Sequence, residues 1–178
     1  PELADRPGQR PLIIACKEES QEPKVVVDRI IELVKPGSRY RFADIAVLCP
    51  RVSIARRMTQ ELQRMQLPAD FHHNQEFDIL QESVKVLTLH AAKGLEFPIV
   101  FMVGLRSGII PWSSKEAFSG KQTDTDLEEA DLNLNQQCNL FYVGVTRACD
   151  RLYLVTTQGK ESEFLEGLKD KADFDRVS

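Results

Sequence analysis

Two apolar runs separated by a short polar segment constrain the fold of this chain more than any other feature. Val84–Leu89 and Ile99–Val103 are rich in β-branched residues and largely apolar at successive positions. That pattern is typical of strands covered on both faces, whereas a strand with one solvent face alternates apolar and polar residues. The two runs therefore predict buried strands of a mainly parallel sheet.

The rest of the chain alternates strand and helix patterns. Further candidate strands are Leu12–Cys16, Ile45–Cys49 and Leu152–Thr156. Candidate helices are Gln21–Val34, a segment capped by Ser53, Asp126–Arg147 and Ser162–Lys169, and residues 69–83 form a polar connection with room for one short strand. This alternation predicts an α/β fold with helices on both faces of the sheet. We predict a single domain over residues 1–178.

Composition indicates a globular protein without a membrane span. Apolar residues make up 42% and charged residues 28% of the chain, and no apolar run approaches the roughly 20 residues that a transmembrane helix needs. The chain opens at Pro1 without a signal peptide, so we expect a cytoplasmic piece of a longer protein. Its four cysteines form no C-x-x-C pair, which favours buried reduced thiols and predicts no metal site.

Charge and missing motifs exclude several functions. The net charge of −4 argues against a surface that attracts nucleic acid everywhere, although six arginines between Arg39 and Arg64 fit either phosphate contacts or a solvated face. The chain contains no G-x-x-x-x-G-K-[ST], no G-x-G-x-x-G and no G-x-S-x-G pattern. It is therefore not a self-sufficient P-loop NTPase, and a dehydrogenase or a serine hydrolase has no support.

The polar segment between the two central strands carries candidate ligand contacts. Its side chains are those of Thr88, His90, Lys93 and Glu96, with Gly94 permitting a sharp bend. Thr88 and His90 can donate to phosphate oxygens. A carboxylate at Glu96 would repel phosphate but suits a hydroxyl such as that of a ribose. The alternative is a capped strand–turn–helix with polar residues on the surface.

A second candidate stands at the end of the helix Asp126–Arg147. A glycine inside a helix, as at Gly144, destabilises the helix by about 1 kcal/mol relative to alanine. Close packing of that turn against another element would explain why a glycine is present. Arg147, fixed at a rigid helix end, can reach across a cleft to a phosphate. The alternative is a surface arginine paired with Asp150.

Three segments resemble motifs of the superfamily 1 DNA helicases of the UvrD/Rep/PcrA type. Thr88-Leu-His-Ala-Ala-Lys-Gly-Leu-Glu-Phe-Pro is similar to motif V, and Asn139-Leu-Phe-Tyr-Val-Gly-Val-Thr-Arg-Ala to motif VI. Ile45-Ala-Val-Leu-Cys-Pro-Arg-Val-Ser-Ile-Ala-Arg resembles motif IV more loosely. The chain is thereby identified as a C-terminal RecA-like domain (2A) of such a helicase, of bacterial cytoplasmic type and lacking its own P-loop.

The resemblance implies roles for individual residues. ATP with Mg²⁺ would lie between this domain and an N-terminal P-loop domain of the same full-length chain. The implied catalytic residues at the γ-phosphate are Arg147 and Arg56. The implied nucleotide-binding set is Glu96 at the ribose, Gly94, Arg147 and Arg56, and the implied contacts to single-stranded DNA are Thr88, His90 and Lys93.

The chain also departs from the family pattern in two places. Cys49-Pro50 replaces the usual aromatic and arginine of motif IV, and only Leu67–Ser83 stands where Rep-like enzymes carry a large 2B subdomain. The resemblance implies a motor that translocates three-prime to five-prime on single-stranded DNA, while the fragment alone is expected to hydrolyse nothing. The alternative is a non-catalytic, helicase-like scaffold that binds DNA or protein.

Overall fold

Seven strands form one parallel sheet in the computed structural model, which describes residues 9–73, 78–112 and 124–177, with backbone alone for 124–132. The strands are β1 (Leu12–Cys16), β2 (Ile45–Cys49), β3 (Ala69–His72), β4 (Val84–Thr88), β5 (Phe97–Met102), β6 (Ala148–Thr157) and β7 (Asp173–Val177). Their order is β3-β4-β2-β5-β6-β1-β7, and every pairing between them is parallel. The predicted α/β fold with a mainly parallel sheet is confirmed.

Helices cover both faces of the sheet. They are α1 (Glu22–Leu33), α2 (Val52–Arg64), α3 (Asp124–Val145) and the 3-10 helix Glu163–Lys171. One apolar layer joins α1 and α2 to alternate strand residues, among them Val47, Val86, Phe101 and Val155. The other layer joins α3 and the 3-10 helix to the intervening residues, among them Leu48, Leu87, Met102 and Leu154. No helix in the described ranges combines the length and hydropathy needed to cross a bilayer.

Several predicted boundaries were wrong. Ser53 does not cap α2: the N-cap is Arg51, because the chain leaves β2 at Cys49 and the helix has already begun at Val52. The closing helix is a 3-10 helix, and β7 follows it without having been predicted. Residues 104–112 lie in no named helix or strand, as predicted, and the remainder of the expected loop, 113–123, lies outside the described residues.

The connection between β4 and β5 determines where the polar segment lies. Parallel strands end at a common edge, so the chain must return across the sheet between Thr88 and Phe97. It does so in eight residues built from turns, with Gly94 at φ +82°. The alternative strand–turn–helix arrangement is therefore absent here. One end of the polar segment lies at the carboxyl edge of the sheet and the other at the amino edge.

Candidate functional site

Glu96 and Arg147 lie together at the amino edge of the sheet. Arg147 sits between the end of α3 and the start of β6, and its carbonyl accepts a hydrogen bond of 2.9 Å from the Phe97 amide. Its Nη1 donates to the Leu95 carbonyl at 3.1 Å. The exposed Glu96 carboxylate lies 4.0 Å from the Cys149 thiol. Two residues from separate motifs thus share one surface, beside the left-handed turn at Gly94.

The Arg147 guanidinium is held by its own domain. Nε donates to the Val143 carbonyl at 2.9 Å, and Nη2 donates to the Thr146 hydroxyl at 3.0 Å. Asp150, the alternative partner suggested by the sequence, forms an ion pair with Arg39 at 3.3 Å. The arginine is therefore oriented by carbonyl and hydroxyl oxygens.

Gly144 explains how α3 comes close enough to place Arg147. A Cβ on this glycine would lie 2.6 Å from Leu89 Cδ2 and 2.8 Å from Met102 Cε. Both distances are shorter than a carbon–carbon contact tolerates. The close packing predicted for this turn is confirmed, and it brings the end of α3 against the β4–β5 connection.

Thr88 and His90 lie at the opposite, carboxyl edge. They line a groove of ≈ 610 Å³ together with Pro50, Arg51, Val52, His73 and Ala91. Thr88 is only 8% exposed, and its hydroxyl accepts a hydrogen bond of 3.2 Å from the Ala91 amide. This hydroxyl stabilises the turn, whereas His90 is exposed to solvent.

Sequence reasoning missed Arg51 and His73 as groove residues. The signal for Arg51 was present, since it follows directly after a strand end, where parallel sheets place ligand contacts. His73 directly follows β3, whose last residue is His72. Lys93 is exposed on the connection between the two edges.

Arg56 does not lie near Arg147 in the structure. It lies exposed on α2, with its guanidinium 5.3 Å from the centre of the Phe71 ring in the edge strand β3. α2 and α3 pack on opposite faces of the sheet, and Arg147 precedes β6, four positions from β3 in the strand order. The described structure therefore places the two predicted catalytic arginines at separate surfaces.

The remaining arginines of the predicted basic segment are dispersed. Arg39, Arg41, Arg57 and Arg64 each form an ion pair with a carboxylate, at 3.3 Å, 3.8 Å, 3.1 Å and 3.0 Å for the shorter pair of each. The residues share no single surface, because Arg39 reaches β6 while Arg57 reaches the segment before α1. They fit a solvated face better than a continuous phosphate track.

A partly buried ionic cluster lies at the carboxyl edge, between the start of α1 and the residues that follow β5. The Arg106 guanidinium pairs with Glu19, and its Nε lies 3.8 Å from a carboxylate oxygen of Glu22. Glu22 also accepts hydrogen bonds from the Gly104 amide at 3.1 Å and the Thr157 hydroxyl at 3.3 Å. Burial raises the pKa of Glu22 to about 7, against the opposing effect of Arg106.

The four cysteines are free, but they are not all buried. Cys16 and Cys49 lie in the sheet as predicted, and burial raises the pKa of Cys16 to about 11. Cys138 is half-buried and Cys149 is exposed, because it lies at the open start of β6. Among the residues that the structure describes, no cluster of three or more His, Cys, Asp or Glu side chains could hold a metal ion.

Comparison with known proteins identifies the family. The model of the UvrD-like helicase C-terminal domain matches residues 69–159, just over half of the chain. The chain belongs to this family. Curated relatives of this UvrD-like domain include the ATP-dependent DNA helicase PcrA of Leuconostoc citreum, 46% identical over 72 residues, or 40% of this chain and 8% of the relative. PcrA of Bacillus subtilis is 36% identical over 100 residues, which cover 51% of this chain and 12% of the relative.

DNA helicase II of Escherichia coli is also similar, with 42% identity over 77 residues, covering 43% of this chain and 9% of the relative. The UvrD-like domain thus spans about a tenth of the length of these curated relatives. Among solved structures, the C-terminal domain of a possible DNA helicase from Lactobacillus plantarum has a TM-score of 0.63 at 19% identity, with 97% and 89% of the two chains covered. The C-terminal domain of yeast Dbp5, bound to Gle1, has a TM-score of 0.57 at 11% identity, covering 94% and 89%. These likenesses establish the RecA-like fold.

Proposed function

We propose that this UvrD-like domain is the C-terminal motor half of an ATP-dependent DNA helicase or translocase. It would complete an ATP site and contact single-stranded DNA. The observation that carries the proposal is the placement of Glu96 and Arg147 side by side, linked through Leu95 and Phe97. Relatives named as ATP-dependent DNA helicases support it.

The amino-edge surface suits the outer part of a nucleotide. Arg147 would stabilise the charge that develops on the transferred γ-phosphoryl group, and an arginine in this role typically contributes about 10³-fold or more in rate. Glu96 would accept a hydrogen bond from a ribose hydroxyl. The N-terminal P-loop domain of the full-length protein would cradle the remaining phosphates, and Mg²⁺ would bind to them and to that domain.

Arg56 is not needed in this arrangement. Reaching the same phosphate would require it to approach from the opposite face of the sheet, so the catalytic proposal rests on Arg147. The variant Arg56→Ala tests the sequence prediction directly. If Arg56→Ala lost as much ATP hydrolysis as Arg147→Ala, Arg56 would also act at the γ-phosphate.

The carboxyl-edge groove suits the backbone of single-stranded DNA. His90 and Arg51 present donors at its rim, and a groove that donates to phosphates binds without reading sequence. Thr88 is buried, so its main effect would be to hold the turn that presents His90. The β4–β5 connection, with Lys93 on it, joins this groove to the amino edge and would pass movement from one ligand to the other.

The test is DNA-stimulated ATP hydrolysis by the full-length parent protein, wild type beside Arg147→Ala. We expect hydrolysis to fall by about 10³-fold or more while nucleotide and DNA still bind. Arg64→Ala, which removes an exposed arginine of α2, is the matched control and should keep the wild-type rate. A wild type without DNA-dependent hydrolysis would support the scaffold alternative instead.

A further inference from the structure

Thr146 stands between the last residue of α3 and Arg147, and its hydroxyl is fully oriented. It donates to the Val143 carbonyl at 3.0 Å and accepts from Arg147 Nη2 at 3.0 Å. A hydroxyl has a single hydrogen to donate. Since Val143 takes that hydrogen, a lone pair of the oxygen is directed at the guanidinium.

The hydroxyl is one of three oxygens that fix the guanidinium plane. The others are the Val143 carbonyl, which accepts from Nε at 2.9 Å, and the Leu95 carbonyl, which accepts from Nη1 at 3.1 Å. An arginine has five N–H groups, so these contacts leave two for a ligand. The Leu95 carbonyl also ties the guanidinium to the residue next to Glu96.

We propose that Thr146 is a positioning residue that orients Arg147 beside Glu96 before the nucleotide arrives. This inference rests on the proposed role of Arg147 at the γ-phosphate. An unrestrained arginine side chain would have to lose its rotamer freedom as the transition state forms. The oriented side chain has already lost it, which is how preorganised groups lower a barrier.

The experiment uses the full-length parent protein and compares Thr146→Val with Thr146→Ser. Valine keeps the shape but removes the acceptor, whereas serine retains it. We expect Thr146→Val to lower the kcat of DNA-stimulated ATP hydrolysis about tenfold, the size of one hydrogen bond to a charged group. The KM for ATP and the affinity for single-stranded DNA should stay unchanged, and Thr146→Ser should retain most of the rate.

A double-mutant cycle separates positioning from a general structural role. In the Arg147→Ala background there is no guanidinium to orient, so adding Thr146→Val should slow hydrolysis no further. An additional tenfold loss in that background would overturn the proposal, as would a Thr146→Ser variant as slow as Thr146→Val. Should the valine variant unfold, Thr146→Ala provides the same comparison.

The outcomes also distinguish this inference from the proposed function. If Arg147→Ala hydrolyses ATP at the wild-type rate, the role of Arg147 is wrong. If Arg147→Ala is inactive but Thr146→Val is not impaired, only the positioning role of Thr146 fails.

Discussion

Glu22 should make the stability of this chain fall as the pH rises, and Glu22→Gln tests that expectation. Its carboxylate lies beside Arg106 with 4% of the side chain exposed. Burial raises its pKa from 4.5 to about 7. Between these values the native state binds more protons at Glu22 than the unfolded state does. The contribution of Glu22 to the free energy of unfolding therefore decreases as the pH rises through this window.

The magnitude follows from the difference between the two pKa values. A difference of about 2.5 corresponds to roughly 3 kcal/mol, at about 1.4 kcal/mol for each pKa unit. Glutamine cannot ionise, so the variant lacks this contribution. Urea unfolding at several pH values between about 4.5 and 8 measures the difference in unfolding free energy between the variant and the wild type. Over this pH range, the free energy of unfolding of Glu22→Gln should rise by roughly 3 kcal/mol relative to that of the wild type.

Glu32→Gln is the matched control, because Glu32 is an exposed carboxylate of the same helix, paired with Arg29 at 3.0 Å. Its difference from the wild type should stay below about 1 kcal/mol and vary little with pH. The reasoning is refuted if the Glu22→Gln difference is constant over the pH range. It is also refuted if the variant loses stability relative to the wild type as the pH rises, since the ionised carboxylate would then be favourable.

Three further outcomes are expected. Gly144→Val should lower the free energy of unfolding by about 1–3 kcal/mol through overpacking against the sheet, measured by urea unfolding, whereas Gly167→Val, where a Cβ meets open space, should change it by about 0.5 kcal/mol or less. Arg51→Ala should weaken binding of single-stranded DNA by the parent protein and reduce the slope of log affinity against log salt by about 1, whereas Arg64→Ala should leave both unchanged. A thiol reagent should modify Cys149 first in the native chain, and Cys149→Ser should remove that fast phase.

Each expectation has a contradicting result. Equal effects of valine at Gly144 and Gly167 would show that α3 does not pack closely there. An unchanged salt slope in Arg51→Ala would mean that this arginine contacts no phosphate. A fast phase that persists in Cys149→Ser would place the most accessible thiol elsewhere.

The central strands could be predicted from the sequence because their local pattern and their tertiary environment agree. β1 and β2 have the predicted bounds, since both are continuous apolar runs buried by helices on both faces. β7 could not be predicted in the same way. Its sequence, Asp-Phe-Asp-Arg-Val, is mostly charged and exposed, and the strand is held at the sheet edge by backbone pairing to β1 and an ion pair of Asp175 with Arg29.

Helical periodicity placed α3 but did not fix which residues it buries. Leu134 lies at helical spacing from Cys138 and Phe141, which predicts burial, yet it is 40% exposed. Gln137, a polar residue, is only 2% exposed. The Gln137 side chain bonds to the backbone of Trp112 through both its oxygen and its nitrogen, at 2.6 Å and 3.3 Å. Gln137 is buried because its side chain hydrogen-bonds a loop that is distant in sequence. The hydrophobic pattern around Gln137 cannot indicate such a contact.

The candidate site shows the same limit. The resemblance to motifs V and VI implied that Glu96 and Arg147 act in one nucleotide site, which stays a prediction. The parallel topology brings both residues to one edge of the sheet. The separation of Arg56 from Arg147 depends on strand order and on the face that each helix covers. Neither is encoded in the residues around the two arginines.

The β4–β5 connection also limits how this domain can be engineered. Eight residues reach about 26 Å when extended at about 3.3 Å each, while β5 alone, with six residues, is about 20 Å long. The connection must also cross β2, which lies between β4 and β5, and part of its length forms turns. Its length is therefore only just sufficient to join the two strands. Removing one residue would pull Phe97 out of register with Ala148, whereas an added residue could bulge outward. Labels or linkers for following motion between the two edges should therefore be introduced by insertion or by surface substitution, never by shortening this segment.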